Sequence, residues 1–294
     1  MATTAQWVAG ARPRTLPAAI APVLIGTAAA LRVEEAALLP AVLALLVALS
    51  LQVGVNYAND YSDGIRGTDE VRAGPVRLVG QGLAAPSAVK RAAFAAFGAA
   101  GVLGLVLVVL SHAWLMLPLG ALAVVAAWRY TGGDNPYGYR GQGEVYVFVF
   151  FGLVATLGTE YTQAGAVSWF GLVGAVGVGA VASAILVANN LRDIPTDTEH
   201  GKRTLAVRMG DTRTRGLYVG LLAVSVVALL LLAPWDPWVL LGLLALPLAA
   251  RGARVVRAGT VGPRLIPVLA STGLYEVAYA VLVLVGVALA GALV

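Results

Sequence analysis

The sequence predicts an all-α membrane protein: nine transmembrane helices around a central cavity, with the N-terminus in the cytoplasm. Three observations carry that expectation. The chain is 59% hydrophobic and 12% charged, with a mean hydropathy of +0.84, whereas a soluble domain is only about 45–50% apolar. Its apolar runs are continuous rather than alternating, and several exceed the ~18 uncharged residues that a helix needs to cross a bilayer. Its basic residues gather on alternate connections between those runs, as topogenic charge does.

Taken in order, the runs cover 13–31, 36–59, 92–111, 113–128, 145–163, 168–191, 216–233, 236–252 and 266–294. Each is read as a helix, because hydrocarbon cannot satisfy exposed backbone N–H and C=O groups. The first follows Arg12 and Arg14 and shows no clear cleavage site, so it is expected to be retained rather than removed as a signal peptide. Short turns at Glu34-Glu35, at Ser111-His112, after Glu160 and at Pro234–Pro237 join successive runs on one side. The connections after the second and sixth runs are the long ones, and connections of that length in a compact protein usually carry function. Gly98, Gly101 and Gly104, like Gly171, Gly174 and Gly177, are read as packing positions between helices. No separate soluble domain is visible, so residues 1–294 form a single domain.

The distribution of charge checks this count. The N-terminus and the even-to-odd connections, with the helix ends that border them, hold 19 of the 20 Lys and Arg residues, and only Arg32 lies on the other side. That puts the N-terminus and those connections in the cytoplasm and the C-terminus outside. The net charge of +5 and pI of about 9.7 are therefore read as topogenic rather than as a nucleic-acid-binding surface. With no cysteine in the chain, neither a redox compartment nor thiol chemistry can be read from it.

Two polar clusters break the apolar pattern at corresponding places. Asn56-Tyr57-Ala58-Asn59-Asp60-Tyr61-Ser62-Asp63 ends the second run, and Asn189-Asn190-Leu191-Arg192-Asp193-Ile194-Pro195-Thr196-Asp197 ends the sixth. Helical spacing puts Asn56, Asp60 and Asp63 on one face, and Asn189 and Asp193 on another. Pro195 disfavours helix at Ile194, so Asp197 is expected on a loop. Carboxylates at a helix C-terminus face the negative end of the dipole, at a cost of up to ~1 kcal/mol each. A bound cation would remove that cost.

Oxygen-only donors suit Mg²⁺, which binds through one or two carboxylates plus substrate phosphates. Zinc fits poorly, with His112 on the outer side and His200 alone. Asp60, Asp63, Asp193 and Asp197 are thus the candidate metal ligands, and Arg77, Lys202 and Arg203 are candidates to neutralise a phosphate. A third region, Trp128 to Glu144, is rich in glycine and tyrosine. Its aromatics are read either as interfacial anchors or, at Tyr130, Tyr137 and Tyr139, as ring faces that stabilise a cation. Glu144 is either a partner for a helix N-terminus or a site residue. Glu276, inside the last run, should face the bundle interior.

At these residues the chain resembles the UbiA-type intramembrane aromatic prenyltransferases. The first motif is Asn56 with Asp60 and Asp63, and the second is Asp193 with Asp197. Further matching stretches are Asn59 to Asp69, Gly74-Pro75-Val76-Arg77, Tyr130-Thr131-Gly132-Gly133, Pro136-Tyr137-Gly138-Tyr139, and Asn189 to Asp197 running into Gly201-Lys202-Arg203-Thr204-Leu205. Within that family they are most similar to members that prenylate 1,4-dihydroxy-2-naphthoate in menaquinone synthesis. Gln142 departs from that pattern, which has leucine there. The resemblance implies a Mg²⁺-dependent transferase that takes a polyprenyl diphosphate and the naphthoate, loses CO₂ and gives demethylmenaquinol. It implies catalytic roles for Asn56, Asp60, Asp63, Asp193, Asp197 and Lys202, and substrate contacts from Arg77, Arg203, Tyr130, Tyr137 and Tyr139. Competing readings are another aromatic acceptor, such as 4-hydroxybenzoate or haem, and a Mg²⁺ or phosphate transporter. A transporter would place charge near mid-bilayer in several spans, whereas most acids here cluster at one surface.

Overall fold

The computed structural model describes residues 2–67 and 76–293. Arg72 and the motif residues Thr68, Asp69, Gly74 and Pro75 lie outside the described residues. The described chain is helical throughout: α1 (Thr4–Gly10), α2 (Pro17–Arg32), α3 (Leu38–Ile65), α4 (Pro86–Ser111), α5 (Met116–Arg129), α6 (Gly143–Ala164), α7 (Trp169–Glu199), α8 (Leu205–Met209), α9 (Asp211–Leu232), α10 (Pro237–Arg257) and α11 (Ile266–Leu293). Each of the nine apolar runs holds one of the longer helices. Among the described residues, seven are long and apolar enough to cross a membrane. An eighth crossing arises if the bent pair Thr4–Thr15 and Pro17–Arg32, with 49° between its halves, is one span. The chain is a multi-pass membrane protein, and large apolar side chains such as Leu38, Val102 and Leu244 point outward, as lipid contact requires.

Helix α7 is the hub, with 78% of its most apolar window buried. Its small residues allow this. A Cβ on Gly177 would lie 2.7 Å from the Tyr279 hydroxyl and 2.9 Å from Ala228, and one on Gly174 would lie 2.6 Å from Ile25. The expected packing role of Gly174 and Gly177 therefore holds. At Gly98 and Gly101 of α4 it does not: an added Cβ would meet nothing within 4 Å, because this face looks onto open space. Helices α2, α7, α9 and α11 share one apolar core, and α3 and α4 share another with α1. Hydroxyl pairs tie the first core together, Tyr218 to Thr272 and Ser225 to Tyr275, each at 2.7 Å.

Two boundaries differ from expectation, and both matter for the site. Helix α3 runs six residues past the apolar run, to Ile65, and α7 runs eight past, to Glu199. Hydropathy marks where lipid contact ends, not where backbone hydrogen bonding ends. Both acidic clusters are thus last turns of helices rather than loop starts. Pro195 does not turn the chain, so Asp197 is helical, four residues after Asp193. Proline's own φ suits a helix, and the Thr196 and Thr198 hydroxyls donate to the carbonyls of Asp193 and Ile194 around it.

Candidate active site

The C-terminal turns of α3 and α7 border one cavity of about 1110 Å³. Asn56, Asn59 and Asp63 line it from α3, and Asn189, Asn190 and Asp197 from α7. Arg77, Arg192 and Lys202 add positive charge at the same pole. The remaining wall is largely apolar, from residues such as Val23, Val47, Leu51, Leu107 and Phe150. The cavity thus pairs a charged head with a long greasy body.

The charged head is built across the two helices. Lys202 Nζ lies 3.4 Å from Asp63 Oδ1 and 4.4 Å from the centre of the Tyr139 ring. The Tyr139 hydroxyl donates to the same Asp63 oxygen at 2.5 Å. Asn56 donates to the Ala11 carbonyl and the Thr15 hydroxyl, both at 2.9 Å, which fixes the segment entering α2. Thr131 donates to Asn59 at 2.8 Å, and Arg66 donates to the carbonyls of Thr131 and Gly133, so the tyrosine-rich loop is stapled to the end of α3.

Asp60 and Asp193 stand behind this pole rather than in it. The Asp60 carboxylate accepts the backbone N–H groups of Leu78 (2.7 Å) and Val79 (3.0 Å), and its side chain is fully buried. It thereby anchors the segment that carries Arg77 into the cavity. Asn56, Asp60 and Asp63 keep their helical spacing on α3, but the polar α3 residues that line the cavity are Gln52, Asn56, Asn59 and Asp63, without Asp60. Asp193 is held in a two-pronged pair by Arg192, at 2.7 and 2.6 Å, and the same guanidinium donates to Asn189 at 2.9 Å. Arg203 is exposed, and its backbone N–H donates to the Tyr139 carbonyl. Among the described residues, no three His, Cys, Asp or Glu side chains gather into a ready metal cluster.

The third expected region falls at the cavity. Tyr130, Tyr137 and Tyr139 all line it. Tyr137 stacks on Tyr146 of α6 at 3.8 Å between ring centres, Tyr130 meets Tyr137 edge-on at 5.5 Å, and Tyr146 stacks on Phe150 at 6.2 Å. Burial pushes the Tyr137 hydroxyl well above its usual range, and it donates to the Ala126 carbonyl. A π-helical stretch, Phe148–Val154, shapes α6 beside this ladder, where Gly152 lets α6 press onto Gly179 of α7. Asn59, Arg192 and Thr131 were missing from the sequence-derived site. Asn59 was findable: it is one helical turn before Asp63 once α3 is allowed to continue.

Residues 19–261 match the UbiA prenyltransferase family. The chain belongs to that family. It is 58% identical over 283 residues to the 1,4-dihydroxy-2-naphthoate octaprenyltransferase of Mycobacterium tuberculosis, covering 96% of this chain and 97% of the relative. It is 39% identical over 262 residues to the enzyme of that name from Escherichia coli, covering 86% and 85%. Solved UbiA structures share the fold at low identity. The UbiA homologue of Aeropyrum pernix aligns with a TM-score of 0.70 at 14% identity, covering 93% of this chain and 98% of that one. The Archaeoglobus fulgidus homologue bound to GPP and Mg²⁺ aligns at 0.63 and 14%, covering 96% and 99%. In this UbiA member, then, residues of both motifs line the polar pole of the cavity, and Asp60 and Asp193 are not among its lining.

Proposed function

We propose that this UbiA member transfers a polyprenyl group from polyprenyl diphosphate to 1,4-dihydroxy-2-naphthoate, releasing diphosphate and CO₂ and giving demethylmenaquinol for menaquinone synthesis. The reading is supported most directly by the 58% identity to an enzyme of that name along nearly the whole of both chains. The cavity suits it, with cationic and amide groups at one end and apolar wall along the rest. We further propose nine crossings of the cell membrane, with the polar pole toward the cytoplasm. The ninth is α5, whose 14 residues rise only about 21 Å. The one-sided distribution of Lys and Arg supports this orientation.

Mg²⁺ fits the donor set: Asp63 and Asp197 both line the pole beside the amides of Asn56, Asn59 and Asn189, and no thiol or imidazole lines it. Two carboxylates plus substrate phosphates is the usual way of holding this ion. Asp63 and Asp197 would hold it, with Asp60 and Asp193 supporting from behind. Bound there, it supplies positive charge against the diphosphate. Lys202, Arg77 and Arg192 add to that charge as the allylic C–O bond breaks and its electron pair leaves on the diphosphate. The ring faces of Tyr130, Tyr146 and Phe150 border the space where positive charge develops on carbon. The apolar wall keeps water from quenching it. A ring carbon of the naphthoate then forms the new C–C bond. The carboxylate leaves as CO₂, and the electron pair it releases restores the aromatic ring.

The test is purified protein in detergent supplied with octaprenyl diphosphate and Mg²⁺, with dihydroxynaphthoate or 4-hydroxybenzoate as acceptor. Prenylated naphthoate, abolished by EDTA and absent with 4-hydroxybenzoate, is expected. Preference for 4-hydroxybenzoate would overturn the acceptor assignment.

A further inference from the structure

Glu144 contributes nothing to the charged head, yet it is buried at 7% exposure beside the cavity. It is the second residue of α6, two residues before Tyr146 of the aromatic ladder. One carboxylate oxygen accepts the side-chain N–H of Asn190 at 2.9 Å, and the other has no hydrogen-bond partner. Its backbone carbonyl accepts the Ser183 hydroxyl at 3.3 Å, so α6 and α7 are locked together here. Gly143 permits this approach, since a Cβ there would lie 3.2 Å from Leu186 and 3.3 Å from Tyr130. Asn190 itself lines the cavity, as do Tyr146 and Phe150.

An amide side chain can flip, and its two ends offer opposite chemistry. In the structure it is the NH₂ end of Asn190 that donates to Glu144. The carbonyl end is then what the amide presents to the cavity. A carbonyl oxygen suits a hydroxyl donor and opposes a diphosphate, which brings only acceptors. The neighbouring ladder of rings suits a flat aromatic ligand. We infer that Glu144 is a positioning residue that sets the Asn190 carbonyl to accept a ring hydroxyl of the aromatic acceptor, so that the acceptor lies against Tyr146 between α6 and α7. This rests on the proposed prenyl transfer and assigns its acceptor half.

The experiment compares Glu144→Leu, Glu144→Gln, Asn190→Ala and the double variant Glu144→Leu/Asn190→Ala in steady-state turnover. Binding of 1-hydroxy-2-naphthoate, without any prenyl donor, is measured by titration calorimetry. Loss of one hydrogen bond at a buried site corresponds to about a tenfold rise in the acceptor KM. That rise is expected for Glu144→Leu and Asn190→Ala, with the KM for octaprenyl diphosphate and the Mg²⁺ half-saturation unchanged. Glu144→Gln keeps a carbonyl for the Asn190 N–H and restores the acceptor KM to within about threefold. The double variant is no worse than Asn190→Ala, because Glu144 acts through Asn190. A rise in the diphosphate KM or the Mg²⁺ requirement instead, or additive effects in the double variant, overturns the inference. Naphthoate binding that is unchanged in Glu144→Leu and Asn190→Ala also overturns it; a wild-type protein that binds the naphthoate but never prenylates it strikes the proposed reaction alone.

Discussion

Lys202, from the segment that follows α7, lies 3.4 Å from Asp63 on the last turns of α3. The contact joins two helix ends that are 139 residues apart in the chain, and both residues are buried at the cavity's polar pole. A cation in that place opposes charge building on a leaving diphosphate, where one preorganised donor is worth about 10²–10³ in rate. Lys202→Gln should therefore lower kcat about 100-fold while the protein stays folded by size exclusion. A fall in thermal stability with unchanged kcat would show the residue to be structural only.

Asp60 and Asp63 should separate in a metal titration. Asp63 lines the pole, whereas Asp60 spends its carboxylate on the N–H groups of Leu78 and Val79. Asp63→Asn should raise the Mg²⁺ concentration needed for half-maximal turnover at least tenfold. Asp60→Ala should leave that value nearly unchanged but raise the KM for octaprenyl diphosphate, because the Arg77 segment loses its anchor. It should also cost about 2 kcal/mol or more in stability, since two N–H groups lose their acceptor. Equal shifts in Mg²⁺ dependence in both variants would put Asp60 among the ligands.

Arg192 and Asp193 form a buried pair 2.6 Å apart. Breaking a buried ion pair by removing one partner costs about 3–5 kcal/mol. Arg192→Met should lower the thermal midpoint markedly in detergent, and Arg192→Met/Asp193→Leu should recover part of the loss. Absence of any recovery would mean that the pair serves the site alone.

The glycines of α4 and α7 should respond in opposite directions. Gly177→Ala drives a methyl group to 2.7 Å from the Tyr279 hydroxyl and should destabilise by about 1–3 kcal/mol. Gly101 lines the cavity with nothing within 4 Å of an added Cβ, so Gly101→Leu should leave stability intact. It should reduce turnover of octaprenyl diphosphate much more than that of a ten-carbon donor. Equal losses for both donors would remove this face from the tail's path.

Much of the helical architecture was legible in the chain, because lipid forces apolar segments to be helices. The helix ends were not. Asp60 to Ile65 and Arg192 to Glu199 are polar enough to read as loop, yet they continue the helices because packing and backbone hydrogen bonds persist beyond the apolar stretch. That continuation carries Asp63 to the cavity, while the Asp60 carboxylate is held by the N–H groups of Leu78 and Val79. Pro195 misled for a related reason: local preference yielded to the rest of α7. Gly101 and Gly177 look alike in sequence, and only the neighbours of each helix face distinguish a contact from an opening.

The ends of α3 and α7 are expected to grip one diphosphate together. This is tested most directly by a structure of the protein with an unreactive polyprenyl thiodiphosphate and Mg²⁺. The diphosphate should lie between Asp63 and Asp197, within reach of Lys202, with the chain along the apolar wall. A diphosphate bound elsewhere, or touching only one of the two helix ends, would contradict it.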